Sequence, residues 1–273
     1  MTTPAISAEL VTALKRLKLG RLLDTLPERI VLADQQDMPL QDVLLMLFTD
    51  EIARRESSAA DARAREASLD PSMRLERWDK GAKVSFDKRV LGELTSLRFL
   101  ESHQHVVVLG PVGVGKTFVA QALGHIACRS GYRVSFVRAD AMLRRLRQSR
   151  LDNSREAEMI ALTTVDLLIL DDFALEAMSK EESKDVYQLF LERTGRASMI
   201  VTSNRDTSEW LPMFDDMLLA QSAVDRFKNA AYDFVIEGES YRPRLKPKLD
   251  GETSPAPPAP RPKPRTSPRA HRR

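Results

Sequence analysis

The sequence predicts an α/β protein: a parallel sheet covered on both faces by helices, preceded by a small all-helical domain. Three observations carry this. Short apolar runs alternate with helical patterns from residue 106 to about residue 237. The first run, 106–109, enters a glycine-rich turn, and a Lys-Thr pair then opens a helical pattern. Upstream of it, apolar residues recur at helical rather than strand spacing.

Residues 1–68 read as a helical domain. Leu10, Leu14 and Leu17 keep helical spacing, as do Leu40, Val43, Leu44, Leu47, Phe48 and Ile52, with Pro39 placed for a first turn. Pro27 interrupts or begins a helix between the two groups. Beyond Ile52, "ARRESSAADARAREAS" is alanine-rich and mixed in charge, compatible with the exposed end of a long helix. This domain holds no catalytic constellation and reads as a recognition or docking unit. Residues 69–105 form a linker and an amphipathic helix with Val90, Leu91, Leu94 and Leu97 on one face. Residues 106–249 form the α/β domain, with strands expected at 106–109, 133–137, 167–170, 199–202 and 232–236. Residues 250–273 are proline-rich and basic, with too little apolar content to fold, and are expected to be a disordered tail.

Composition narrows the function classes. At 42% hydrophobic and 30% charged, the 273 residues can bury a core. No apolar run reaches the roughly 18 residues of a membrane span, and the N-terminus lacks a secretory pattern. Cys128 is the single cysteine and four scattered histidines offer no zinc spacing. A cytoplasmic protein without a membrane partner is expected. The net charge of +3 is a property of the tail. Residues 250–273 carry six Lys/Arg against two acids, or +4, which leaves −1 for the rest.

The turn Gly110-Pro111-Val112-Gly113-Val114-Gly115-Lys116-Thr117 fits G-x-x-x-x-G-K-[ST] between a strand and a helix. Glycines there let successive N–H groups face one anion, and the helix N-terminus adds unpaired donors. The turn therefore reads as a nucleoside triphosphate cradle. Lys116 reaches the β- and γ-phosphates, and the Thr117 hydroxyl ligates Mg²⁺. "DLLILDDF" ends a buried strand on Asp171, placed to act on Mg²⁺, and Asp172, placed to polarise an attacking water. Asn204, at the end of "MIVTSN", reads either as turn geometry or as a partner for the γ-phosphate or the attacking water. Arg226 in "AVDRF" reads either as a surface residue or as an arginine presented to a neighbour's γ-phosphate.

These motifs together resemble an AAA+ ATPase, most closely the IstB-like helper ATPases of insertion sequences within the IstB/DnaC-like branch. The likeness runs over roughly residues 10–245, through "LKLGRLLDTL", "ACRSGYRVSFV", "TSNRDTSEW" and "VIEGESYR". It implies sheet order 5-1-4-3-2, ATP hydrolysis, duplex DNA binding and partnership with the transposase encoded by the same element. The family often has Glu and Gly where this chain has Asp172 and Ala174, so slow hydrolysis is one consequence. After Tyr241 little foldable chain remains for the C-terminal helical lid common in AAA+ proteins. A neighbouring subunit is then expected to close the site, in a homo-oligomer.

Residues 129–155 hold eight arginines and two acids, and Arg144, Arg145, Arg147 and Arg150 share one expected helix. That stripe reads either as a solvated face or as phosphate contacts without base readout. Residues 1–105 carry 16 basic and 17 acidic side chains, so charge does not mark them for DNA. Three functions fit. The first is an ATP-dependent regulator that assembles on target DNA and recruits or activates a transposase. The second is a replicative helicase loader, and the third an ATP-binding DNA adapter that barely hydrolyses.

Overall fold

The computed structural model describes residues 5–79 and 81–242. The basic tail expected at 250–273 lies outside the described residues. The described residues up to Tyr241 form one compact unit. Within it, α1 (Ala8–Arg16), α2 (Leu26–Gln35) and α3 (Leu40–Glu66) supply the N-terminal helices. Ser7 caps α1 by accepting from Leu10 N, Pro27 sits in the first turn of α2, and Pro39 is the residue before α3.

A short strand β1 (Val84–Ser85), α4 (Lys88–Thr95) and α5 (Arg98–Glu101) lead into the main sheet. Its strands are β2 (His105–Leu109), β3 (Val134–Arg138), β4 (Leu167–Asp171), β5 (Ser198–Ser203) and β6 (Ala231–Val235). All neighbouring pairs are parallel, in the order β3-β4-β5-β2-β6. Counted along the main sheet alone, and read from the other edge, this is the 5-1-4-3-2 order that the resemblance implies. A final strand, β7 (Glu237–Gly238), pairs antiparallel with β1. That ribbon was not anticipated from the sequence.

The three central strands, β4, β5 and β2, are mainly apolar because they are buried on both sides, whereas the edge strands β3 and β6 are partly exposed. Val106, Val108, Leu167, Ile169 and Ile200 face a core shared with α4, α5 and α6 (Lys116–Arg129). Val107, Leu168, Leu170, Met199 and Val201 face the opposite core. It is closed by α7 (Ala139–Ser149), α8 (Arg155–Thr163), α9 (Lys180–Arg193) and α10 (Met217–Asn229). The alternation is the two-residue period of a strand, hidden in a run where both faces need apolar side chains.

The second half of α3 refines one expectation. Most of it is exposed, as expected for the end of a long helix, but one stripe buries Ala60, Ala64 and the following Ala67. Small side chains there let α3 lie close to α6, and Arg63 Nε donates to Cys128 O at 2.8 Å. Leu69 continues the contact against Gly124, and Asp70 N donates to Gln121 Oε1 at 2.7 Å. The start of the linker is thus packed into the core. Cys128 is buried in the same cluster, and burial pushes its thiol up to about 11, so it stays an inert core residue.

Candidate functional site

Parallel strands place their C-terminal ends on one edge, and the motif residues collect there. The phosphate-loop turn leaves β2 and opens α6 at Gly115, with Val119 N donating to Gly115 O. Gly113 has φ 85°, a left-handed conformation that a side chain disfavours. Lys116, buried at the first position of α6, donates from Nζ to Gly110 O and Pro111 O, both at 2.8 Å. The ammonium is thereby held against the loop. The Thr117 hydroxyl donates to Asp171 at 2.9 Å (Oδ1) and 3.1 Å (Oδ2).

Asp171 ends β4 and is almost fully buried. Burial raises its pKa, and the neighbouring Asp172 charge adds to this. Hydrogen bonds from Thr202 and Thr117, and the Arg138 charge, pull the other way. Thr202 Oγ1 donates to Asp171 Oδ1 at 2.6 Å and accepts from Asp172 N at 3.0 Å. One hydroxyl from β5 therefore positions both acids. Asp172 turns the chain at φ 54°, and its carboxylate lies 3.9 Å from the Arg138 guanidinium at the end of β3. Ala174 has φ 58°, a left-handed conformation that glycine adopts without strain.

Asn204 follows β5 directly and is exposed, beside β2, since Ser203 pairs with Leu109. Its placement is fixed from below. Ser203 Oγ donates to Phe173 O at 2.9 Å and accepts from Arg205 N and Trp210 Nε1. Lys116, Thr117, Asp171, Asp172 and Asn204 thus share the C-terminal edge of three adjacent strands.

Arg226 does not join them. It is exposed in the last turn of α10, five residues before Ala231, which pairs with His105 at the start of β2. The phosphate loop leaves the other end of β2, about 15 Å further along the strand at 3.3 Å per residue. The proposed DNA contacts on α7 also separate. Arg145 is exposed, and no hydrogen bond or ion pair holds it among the described residues. Arg144 and Arg147 make only exposed contacts, to Asp140 and Glu182. Arg150 is different: it binds the fully buried Asp185 at 2.8 Å beside Arg155, so it anchors α7 to α9.

Sequence reasoning missed several residues around the loop. Thr202 and Arg138 touch the two acids. A cavity of about 300 Å³ beside α6 is lined by Leu75, Glu76, Trp78, Phe86, Leu91 and Val119. Trp78 packs edge-on against Phe118, two residues past Lys116, and against Phe86. The two aromatics in the linker were the available signal, but nothing local ties them to a turn some forty residues later.

With this geometry established, comparison with known proteins is decisive. Residues 12–249 match the sequence profile of the family described as IstB-like ATP binding protein. The chain belongs to this family. It is 38% identical over 237 residues to a protein named as an ATP-binding protein in an insertion sequence of Mycobacterium tuberculosis, covering 86% of this chain and 94% of that one. It is 33% identical to a protein named as the ATP-binding protein of insertion sequence IS21 from Pseudomonas aeruginosa, covering 88% and 91%. Among solved structures, DnaI superposes with a TM-score of 0.52 at 20% identity, covering 60% of this chain and 90% of that one. A replication initiator DnaA bound to AMPPCP and single-stranded DNA gives 0.51 at 23%, covering 63% and 51%. These likenesses establish the AAA+ P-loop fold for this IstB-like protein. Among the described residues no helix is long and apolar enough to cross a membrane.

Proposed function

We propose that this IstB-like protein is an ATPase that assembles as a homo-oligomer on duplex DNA and recruits or activates the transposase of its insertion sequence. The observation that carries the ATPase reading is the junction of Thr117 and Asp171, with Asp172 beside it and Lys116 held over the loop. In this reading the loop N–H groups and Lys116 bind the β- and γ-phosphates. Thr117 and Asp171 offer hard oxygen ligands that would hold Mg²⁺. The ion would neutralise charge on the phosphate oxygens. Asp172 polarises the attacking water and Asn204 hydrogen-bonds that water or the γ-phosphate. The aromatic cavity beside α6 is the space available to the base.

The position of Arg226 supports assembly. It lies at the far end of the sheet from its own loop, so in this reading it serves a neighbour's site. Arg144, Arg145 and Arg147 would meet DNA phosphates, while Arg150 keeps its structural partner. The transposase partnership rests on relatives named as insertion-sequence proteins. The test is phosphate release from ATP and Mg²⁺, with and without duplex DNA. Turnover that rises with DNA and vanishes in Lys116→Ala is expected. ATP binding without turnover under any DNA condition would reduce the protein to an adapter.

A further inference from the structure

Beyond β6 the chain turns back across the phosphate loop. Ile236 N donates to Leu109 O at 2.8 Å, and a Cβ on Gly110 would collide with Ile236 O. β7 then pairs with β1, with Val84 opposite Gly238 and Glu239 N donating to Lys83 O at 3.1 Å. Two residues on, Ser240 packs so tightly on Gly113 that a Cβ there would overlap its hydroxyl. Tyr241 N donates to Gly113 O at 2.8 Å. On the third glycine, Gly115, a Cβ would meet the Trp78 ring at 3.0 Å. The open side of each loop glycine is thus filled by a defined group, two from beyond β6 and one from the linker that the β1–β7 ribbon ties to it.

One of these contacts has a directional effect. In a trans peptide the C=O and the following N–H point opposite ways. With Gly113 O turned to Tyr241, the Val114 N–H must point away from the strap, and it is one of the donors of the phosphate cradle. We infer that residues 239–241 form a positioning strap in cis, which presets the Gly113–Val114 peptide for phosphate. The inference rests on the reading of this loop as an ATP site. Without the strap, Gly113 would recover its large backbone freedom, and phosphate binding would have to restrict it again.

The test uses the full chain and separates the backbone bond from the side chain. Tyr241→Pro removes the N–H that Gly113 O accepts, whereas Tyr241→Ala keeps it. Titration with ATP and Mg²⁺ is expected to show affinity roughly five- to tenfold weaker for Tyr241→Pro, the scale of one hydrogen bond. Tyr241→Ala should stay within about twofold of the unaltered chain. KM for ATP should rise with kcat nearly unchanged, and melting without nucleotide should fall by only a few degrees, the scale of one lost hydrogen bond. Ser240→Leu, too large for the space beside Gly113, provides a second variant if proline impairs folding, and the same weakening is expected. Equal ATP affinity in Tyr241→Pro and Tyr241→Ala, or an unchanged Ser240→Leu, would overturn the strap. Failure of the unaltered chain to bind ATP would overturn the site reading instead.

Discussion

At the scale of single residues, the molecule uses buried polar groups in two ways. Asp171 is buried where a cation and phosphate are proposed to sit, and two threonine hydroxyls hold its carboxylate in place. His105 is buried at the other end of β2, stacked 4.9 Å from Phe227, with Nδ1 accepting from Met199 N. Burial first, and then the Arg193 charge, lower its pKa from 6.5 to about 4. The unfolded chain therefore takes up this proton near pH 6.5 and the folded one resists until about pH 4. Its contribution is full above pH 6.5 and lost as pH falls from 6.5 to 4, about 3 kcal/mol in all. Urea unfolding across that window should show a steep loss that His105→Gln flattens, since Asp171 titrates alike in both proteins. Parallel curves would mean that His105 is not held neutral by the fold.

At the scale of elements, legibility followed the range of the interactions. The β2 and β4 strands were readable because runs such as Val106-Val107-Val108 and Leu167-Leu168-Ile169-Leu170 carry their fate locally. The phosphate loop was readable because its geometry demands glycine at set spacings. The buried stripe of α3 was not, because Ala60 and Ala64 mark close helix packing with the residue that also marks an exposed helix. The strap and the aromatic cavity were hidden for another reason: Tyr241 meets Gly113, and Trp78 meets Gly115, across long stretches of sequence. Arg150 and Arg145 look alike in sequence, and only the fold reveals Asp185 beneath one of them. That difference shapes the prediction for α7. Replacing Arg144, Arg145 and Arg147 by Gln should reduce the log–log salt slope of DNA binding by roughly 0.9 per lost phosphate contact. The loss should be similar for all sequences, with melting little changed. An unchanged slope would assign this face to solvent. Arg150→Gln should instead lower stability, because it strips one of two cations from a buried carboxylate.

At the scale of the whole molecule, the architecture separates two halves of one proposed reaction. Loop, acids and Asn204 occupy one edge of the sheet, while Arg226 sits near the other. Under the proposed mechanism, a site divided in this way works between copies of the chain. The most direct measurement is therefore ATP turnover in defined mixtures of two inactive full-length proteins, Lys116→Ala and Arg226→Ala, with duplex DNA present. Alone, Lys116→Ala should not bind ATP. Arg226→Ala should bind it yet turn over about a thousandfold slower, on the arginine-finger scale. In mixed assemblies an Arg226→Ala subunit offers an intact loop and its Lys116→Ala neighbour donates the arginine, so activity should reappear and peak at intermediate ratios. Assemblies shown to contain both chains, yet inactive at every ratio, would contradict a site completed by the neighbouring subunit.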